Sequence, residues 1–268
     1  MKKKLVSRLI VLIMAIMLVL SLCVPAHADQ LADIKARGYI IIATEGDWQP
    51  WTYHNEANEL VGLDIEIGKA IAEYLGVEAR FEETNWDAIL AGVDSGRFDL
   101  ACNGVGYTET RAEKYDFSVP YVYTHKVLVV RSDNDKVTSL EDLNGKKTAN
   151  TASSTYAALA ESYGAEVVGV ETLADTFALL LQGRVDATIN SEVTINDYLL
   201  AHPEAPLKIV DETEGDPVAI PLRKGEDSAS LRQAVNEVLE ALRSSGRLTE
   251  ISVKYFNGLD LSVVPAAE

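Results

Sequence analysis

Short apolar segments alternate with amphipathic segments along this chain, and the series occurs twice. The first series predicts strands at residues 39–43, 77–82 and 99–103, with helices at 64–75 and 86–95 between them. Such alternation is typical of an α/β protein with a mostly parallel sheet, whose strands are joined by right-handed helical crossovers. This pattern therefore predicts one sheet flanked by helices.

A second series follows an extended run at residues 121–131 and predicts strands at 147–150, 166–170 and 186–190. Another extended run, at 217–221, precedes two final helical segments. We therefore expect two lobes joined by two hinge strands, with no low-complexity linker between them. The expected division is residues 29–124 plus 218–268 for lobe 1 and residues 125–217 for lobe 2.

The N-terminal segment has the three parts of a secretory signal. A basic start with Lys2, Lys3, Lys4 and Arg8 precedes an apolar run at 9–24, and Ala26-His27-Ala28 offers small residues for cleavage. Residues 1–28 are therefore expected to be a removable signal peptide of an extracytoplasmic protein. A lipid anchor at Cys23 is the less favoured alternative, because Leu22 is large for the position before a lipidated cysteine.

The charge balance limits the partners of this chain. After residue 28 it carries 20 basic and 41 acidic residues, a net charge of −21, so nucleic acid is not an expected partner. Cys102 is then the single cysteine, and no intramolecular disulfide can form. Only three histidines remain, without metal-ligand spacing, and we expect a monomer with no metal, no cofactor and no enzymatic activity.

One arginine follows a predicted helix start. Thr108 is a typical N-cap residue, and Arg111 stands three positions after it. A guanidinium beside free backbone N–H groups at a helix start suits a small carboxylate. The alternative is a surface arginine that shares a helix with Glu109 and Glu113.

The run from Tyr107 to Tyr121, Tyr-Thr-Glu-Thr-Arg-Ala-Glu-Lys-Tyr-Asp-Phe-Ser-Val-Pro-Tyr, resembles a motif of the extracellular solute-binding proteins, family 3, of amino-acid ABC transporters. Six further segments match that family in order and spacing: residues 44–51, 60–71, 95–99, 142–147, 183–187 and 253–256. The resemblance implies a type 2 periplasmic-binding-protein fold that traps one amino acid between its lobes. It also implies delivery of that amino acid to a membrane permease.

The resemblance assigns roles to individual residues. It places the ligand's α-carboxylate on Arg111, with help from the backbone of Gly106 and from Thr155. The other matching positions are Trp48 and Trp86 as flat platforms, Asn103 and Gly104 at a strand end, Thr151 near the ligand side chain, and Asn190.

Ser191 departs from the family pattern, which usually has an aspartate that neutralises the ligand's ammonium. A buried ammonium without a counter-charge is costly, so another acid is needed. Glu45 and Glu192 are the candidates. Glu45 is favoured because it follows a predicted strand, at the edge where such sheets bind ligands.

Three classes of function are compatible with these features. Amino-acid transport is favoured, and the runs at 148–151 and 186–190 resemble the cystine and polar amino-acid branch. An enzyme similar to cyclohexadienyl dehydratase is the alternative, with Glu45 and Glu192 as acid and base. A ligand sensor is the third class. Aromatic residues without an evident acidic partner argue mildly against lysine or arginine as the ligand.

Overall fold

A computed structural model describes residues 29–263, and the predicted signal peptide and Cys23 lie outside the described residues. The strands are β1 Tyr39–Thr44, β2 Asp47–Trp48, β3 Thr52–His54, β4 Leu60–Val61, β5 Glu78–Glu83, β6 Leu100–Ala101, β7 Tyr115–Phe117, β8 Val122–Thr124, β9 Lys126–Arg131, β10 Lys147–Asn150, β11 Glu166–Gly169, β12 Ala187–Ser191, β13 Leu207–Glu212, β14 Asp216–Val218 and β15 Pro221–Arg223.

The α-helices include the two segments predicted at 64–75 and 86–95, each with bounds within one residue of the prediction. They are α1 Gln30–Arg37, α2 Leu63–Leu75, α3 Trp86–Asp94, α4 Glu109–Ala112, α5 Thr155–Ser162, α6 Leu173–Leu181, α7 Glu192–Ala201, α8 Ala229–Ser244 and α9 Arg247–Tyr255. Short 3-10 helices form at Leu140–Leu143 and Glu226–Ser228. Within residues 29–263, no helix is both long enough and apolar enough to cross a membrane.

Two five-stranded sheets organise the molecule, as the two series of segments predict. The first has the order β5-β1-β6-β15-β7 and the second the order β11-β10-β12-β9-β13. Strands from the strand–helix series are parallel, as β1 is to β5 and β6, and as β10 is to β11 and β12. The strands β9 and β15 are antiparallel to their neighbours because they enter each sheet without a helical crossover.

The two extended runs pair with each other between these sheets. The predicted run at 121–131 is divided at His125 into β8 and β9, and β8 pairs antiparallel with β14. In this pair Thr124 lies opposite Asp216, and Val122 lies opposite Val218. We propose that β8 and β14 are the hinge and that the lobes divide at residues 124–125 and 217–218.

Each sheet is buried by the apolar faces of its helices. In the first lobe, Ile67 and Ile71 of α2 and Val235 and Leu239 of α8 belong to one core with Ile42. In each helix the spacing of four residues places the two side chains on one helical face.

The second sheet is covered on both faces. Along β9, Val127 and Val129 belong to one core cluster, while Leu128 and Val130 belong to the cluster on the opposite face. Successive side chains of a strand point to opposite faces, so a continuous apolar run indicates a strand buried on both sides.

Side chains cap the starts of several helices, including the predicted start at Thr108. Asn85, Thr108, Ser154 and Thr172 each accept a hydrogen bond from a backbone N–H in the first turn of the following helix. Gly76 ends α2 in the left-handed conformation, with φ of +71°. These caps fix where α3, α4, α5 and α6 begin beside the central cavity.

Candidate functional site

A cavity of about 890 Å³, including its opening to solvent, lies between the two lobes and the hinge strands. Nine of the eleven predicted site residues line it: Glu45, Trp48, Trp86, Gly104, Gly106, Arg111, Thr151, Thr155 and Asn190. Several of them follow or end a parallel strand. The carboxyl ends of parallel strands are where open α/β sheets bind ligands.

Arg111 extends from the short helix α4 toward the second lobe. Its Nη1 donates to the backbone oxygen of Gly106 at 2.9 Å, and its Nη2 donates to the backbone oxygen of Ser153 at 3.4 Å. The guanidinium carbon lies 5.2 Å from the centre of the Trp86 ring. Burial lowers the pKa of Arg111, and within residues 29–263 no carboxylate forms an ion pair with it. The cavity therefore contains a largely buried cation that lacks an anionic partner.

The first turn of α5 faces Arg111 from the second lobe. Thr155 and Ser154 both line the cavity, and Ser154 Oγ accepts a hydrogen bond from Ala157 N–H at 3.1 Å. The N-terminus of a helix carries a partial positive charge and free N–H groups. Arg111 and α5 together form an electropositive region suited to a carboxylate. Ser154 was not among the predicted site residues.

Three tryptophans occupy the first lobe near the cavity. Trp48 and Trp86 line it, whereas Trp51 is fully buried and packs against Phe256 with ring centres 5.1 Å apart. The Trp48 and Trp51 rings stack at 5.6 Å. Trp48 and Trp86 thus provide flat apolar surfaces for a ligand, while Trp51 belongs to the core.

Gly104 allows this stacked arrangement. It has φ of +54°, and a Cβ at this position would lie 2.7 Å from the Trp48 ring and 2.9 Å from the Trp51 ring. Gly106 differs, since a Cβ there would meet its nearest atoms, on Thr155 and Arg111, at 3.9 and 4.0 Å. Of these two positions, only residue 104 requires a glycine, because a Cβ there would collide with both tryptophan rings.

We therefore expect Gly104→Ala to lower the free energy of unfolding by about 1–2 kcal/mol and to weaken ligand binding by moving Trp48. Gly106→Ala is the matched control and should change stability by less than about 0.5 kcal/mol. Urea titration followed by tryptophan fluorescence measures both variants. Equal stability of the two variants would contradict the proposed packing role of Gly104.

Asn103 and Ser191 do not line the cavity. Asn103 is buried, donates from Nδ2 to Glu45 Oε2 at 2.6 Å and accepts at Oδ1 from Glu45 N–H at 2.8 Å. Ser191 is fully buried, with its Oγ 3.2 Å from Thr124 Oγ1. Asn103 thus holds Glu45 in position, and Ser191 lies behind the cavity wall.

Glu192, the second candidate counter-charge, also lies away from the cavity lining. Its Oε1 accepts from the backbone N–H of His125 at 3.3 Å. Glu45, in contrast, lines the cavity. Burial raises the pKa of Glu45 to about 7, with a further contribution from Asp47 and Asp87 and an opposing one from its hydrogen bond with Asn103. Of the two candidates, Glu45 is the one placed to meet a ligand.

Sequence analysis missed four charged residues that line the cavity. They are Asp47, Glu171, Asp216 and Lys126. Lys126 forms an ion pair with Asp216 between the start of β9 and the hinge strand β14. These residues come from separate segments, and the signal that could have indicated them is their position at strand ends and in the hinge runs.

Two buried polar atoms of the lining have no hydrogen-bond partner within the described part of the chain: Asn150 Oδ1 and Trp86 Nε1. The Asn150 amide is oriented by Nδ2, which donates to the backbone oxygen of Ile189 at 2.7 Å. Buried polar atoms without partners are costly. Within residues 29–263, no cluster of three or more His, Cys, Asp or Glu side chains could hold a metal ion.

Comparison with known proteins agrees with this geometry. A probable amino-acid ABC transporter-binding protein of Haemophilus influenzae is 38% identical over 88% of this chain and 92% of its own length. The L-cystine-binding protein TcyA of Bacillus subtilis is 39% identical, over 87% of each chain.

A solved structure extends the similarity to three dimensions. The amino acid ABC transporter substrate-binding protein AbpA of Streptococcus pneumoniae, bound to L-arginine, is 31% identical with a TM-score of 0.78, and the match covers 84% of this chain and 98% of AbpA. The family described as bacterial extracellular solute-binding proteins, family 3, matches residues 40–258. This match, the two-lobed α/β fold and the cavity between the lobes show that the chain belongs to that family.

Proposed function

We propose that this protein binds a polar amino acid outside the cytoplasm and delivers it to the permease of an ABC importer. The observation that carries the proposal is Arg111, a largely buried cation without a carboxylate partner among residues 29–263, facing the first turn of α5 across the cavity. An α-carboxylate supplies the missing negative charge. A planar guanidinium can bind it through two parallel hydrogen bonds.

The acidic residues that line the cavity indicate the charge of the rest of the ligand. Glu45, Asp47 and Glu171 line the cavity, and all three also line a smaller adjoining cavity with Glu83 and Asn85. These carboxylates remove the sequence-based argument against a cationic side chain. They suit a ligand with a positive group at its far end, such as the second ammonium of cystine or a guanidinium.

The names of the relatives indicate the ligands to test first. TcyA is named for L-cystine, and the AbpA structure contains L-arginine. We propose L-cystine as the first candidate, because TcyA is more similar in sequence and because the local runs at 148–151 and 186–190 resemble that branch. The Trp48 and Trp86 faces can cover its disulfide.

Contacts between the lobes supply the trapping step. Arg111 donates to Ser153 O, and Ser153 Oγ donates to Asp87 Oδ1, so both bonds join the first lobe to the second. A ligand held by Arg111 and α5 interacts with both lobes only when they are close together. It therefore favours the closed state over the open one, with β8 and β14 as the hinge.

A thermal-shift screen of the twenty amino acids plus L-cystine tests this function. Ligand at one hundred times its Kd should stabilise the protein by about 2.7 kcal/mol. We expect one or a few polar amino acids to raise Tm, with L-cystine or L-arginine giving the largest shift, and calorimetry should confirm one site. A screen in which no amino acid raises Tm would reject the proposal.

We propose binding without catalysis. Glu192, one of the two carboxylates considered as an acid–base pair, lies outside the cavity lining and accepts a backbone hydrogen bond from His125. Chromatography of the bound amino acid after long incubation separates the two functions. Recovery of the unchanged amino acid is expected, and a new product would support the enzyme.

A further inference from the structure

The hinge strand β14 places a carboxylate in the cavity. Asp216 lines the cavity, and its Oδ2 forms an ion pair with Lys126 Nζ. No residue within 29–263 donates a hydrogen bond to its other oxygen, Oδ1. The Lys126 and Asp216 side chains are 15% and 33% exposed, so the pair is shielded from solvent but reachable from the cavity. A carboxylate oxygen therefore remains available to a ligand.

Strand pairing places Asp216 near the backbone group that anchors Arg111. Gly106, whose oxygen binds Arg111 Nη1, pairs with Val218 in an isolated bridge. Asp216 stands two residues before Val218 on the same strand, and both line the cavity. Alternate residues of a strand point to one side and are roughly 6.6 Å apart. Asp216 thus lies two residues along β14 from Val218, which pairs with Gly106, the residue whose oxygen binds Arg111.

An amino acid requires two counter-charges at a short separation. One carbon joins its α-carboxylate to its α-ammonium, and a charge-assisted hydrogen bond adds about 2.8 Å on either side. The two protein groups must therefore lie on opposite sides of the ligand, roughly 6–8 Å apart.

The surroundings of Asp216 explain how Ser191 can be tolerated. Asp216 lies opposite Thr124 in the strand pair, and Thr124 Oγ1 is 3.2 Å from Ser191 Oγ. Burial, followed by the negative charge of Asp216, raises the pKa of Tyr156, a cavity residue that also senses Arg111. The charge of Asp216 therefore acts in the same part of the cavity as Arg111.

We propose that Asp216 binds the α-ammonium of the ligand through Oδ1 while Lys126 holds Oδ2. This assignment rests on the proposed amino-acid function. It produces a row of alternating charges: Arg111, ligand carboxylate, ligand ammonium, Asp216 and Lys126. Each charge then has an opposite neighbour, which offsets the cost of burying the ammonium. Glu45 also lines the adjoining acidic cavity, which Asp216 does not line, and we assign Glu45 to the side-chain end of the ligand.

Paired ligands with and without the ammonium test the assignment. L-cystine is compared with 3,3′-dithiodipropionate, and L-arginine with 5-guanidinopentanoate, which lacks only the α-ammonium. By calorimetry, Asp216→Asn should weaken binding of the amino acid at least 30-fold and leave its deamino counterpart within threefold of wild type. Equal weakening of both members of a pair would show a general effect on the hinge and overturn the assignment.

Two further variants separate ammonium binding from neutralisation of Lys126. If Asp216 merely neutralises Lys126, the double variant Lys126→Met, Asp216→Asn should restore amino-acid binding. We expect it to stay at least 30-fold weak, and we expect Lys126→Met alone to weaken amino-acid binding less than Asp216→Asn does. Restored binding in the double variant would overturn the assignment, as would ammonium-selective loss in Glu45→Gln but not in Asp216→Asn. A wild-type protein that binds no amino acid would instead reject the proposed function itself.

Discussion

Replacing Arg111 by alanine is expected to weaken amino-acid binding by roughly 3–5 kcal/mol, or about two to four powers of ten in Kd. The ligand carboxylate would lose its charged partner. It would also approach two backbone oxygens, those of Gly106 and Ser153, to which Arg111 now donates. Arg111→Lys should recover only part of the loss, because an ammonium cannot form the paired hydrogen bonds of a guanidinium.

Isothermal titration calorimetry with the amino acid that gives the largest thermal shift measures this effect. Arg184→Ala serves as the control, since Arg184 is exposed on the second lobe and does not line the cavity. Its Kd should match that of wild type. If Arg111→Ala binds within about threefold of wild type, the assignment of Arg111 to the carboxylate is wrong.

Stability should fall as the pH rises from 5 to 8 because of a buried carboxyl group below the site. Asp64 is fully buried, accepts from Tyr121 Oη–H at 2.6 Å and accepts from the backbone N–H of Gly104. Burial raises the pKa of Asp64 from 3.8 to about 7, although both hydrogen bonds oppose this change.

The direction of the pH effect follows from proton binding. Between about pH 4 and pH 7 the folded protein keeps the Asp64 proton that the unfolded chain has released, so the free energy of unfolding decreases with pH in this window. The difference in pKa corresponds to at most roughly 4 kcal/mol. Glu45, whose pKa is also raised to about 7, acts in the same direction in the absence of ligand.

Asp64→Asn removes the ionisable group while keeping its shape and its acceptor for Gly104 N–H. We expect this variant to be more stable than wild type at pH 8 and to show a smaller loss of stability between pH 5 and pH 8. Urea unfolding at the two pH values measures both quantities. Asp135→Asn is the control, because the Asp135 side chain is 94% exposed. The same pH dependence in wild type and Asp64→Asn would contradict the assignment.

Much of the fold could be predicted because its signals are local. Apolar alternation indicated the strands of both sheets, and the cap residue Thr108 indicated where one helix begins. The motif around Arg111 predicted a cation at a short helix, and the structure places it in the cavity. Trp48 and Trp86 were likewise indicated by their motif positions. Their roles toward a ligand stay predictions.

The charged hinge pair could not be found in the same way. Lys126 and Asp216 are separated by 90 residues, and in the sequence each is an ordinary charged residue within or beside an extended run. Glu171 stands in a loop whose place over the cavity depends on how the second lobe packs. The sequence also did not show that Ser191 and Asn103 lie behind the cavity wall, because the direction in which a strand residue points depends on how its sheet packs.

The sequence by itself determined the two sheets, the two hinge strands, the helix cap at Thr108 and the position of Arg111 after it. Hydrophobic periodicity and capping act over a few neighbouring residues, so these features have local signals. Tertiary structure alone decided which charges share the cavity. Electrostatic and hydrogen-bond contacts depend on distance in space, and pairing β8 with β14 brings Asp216 beside the binding site. Burial, which raises the pKa of Glu45 and Asp64 to about 7, is likewise a property of the packed protein.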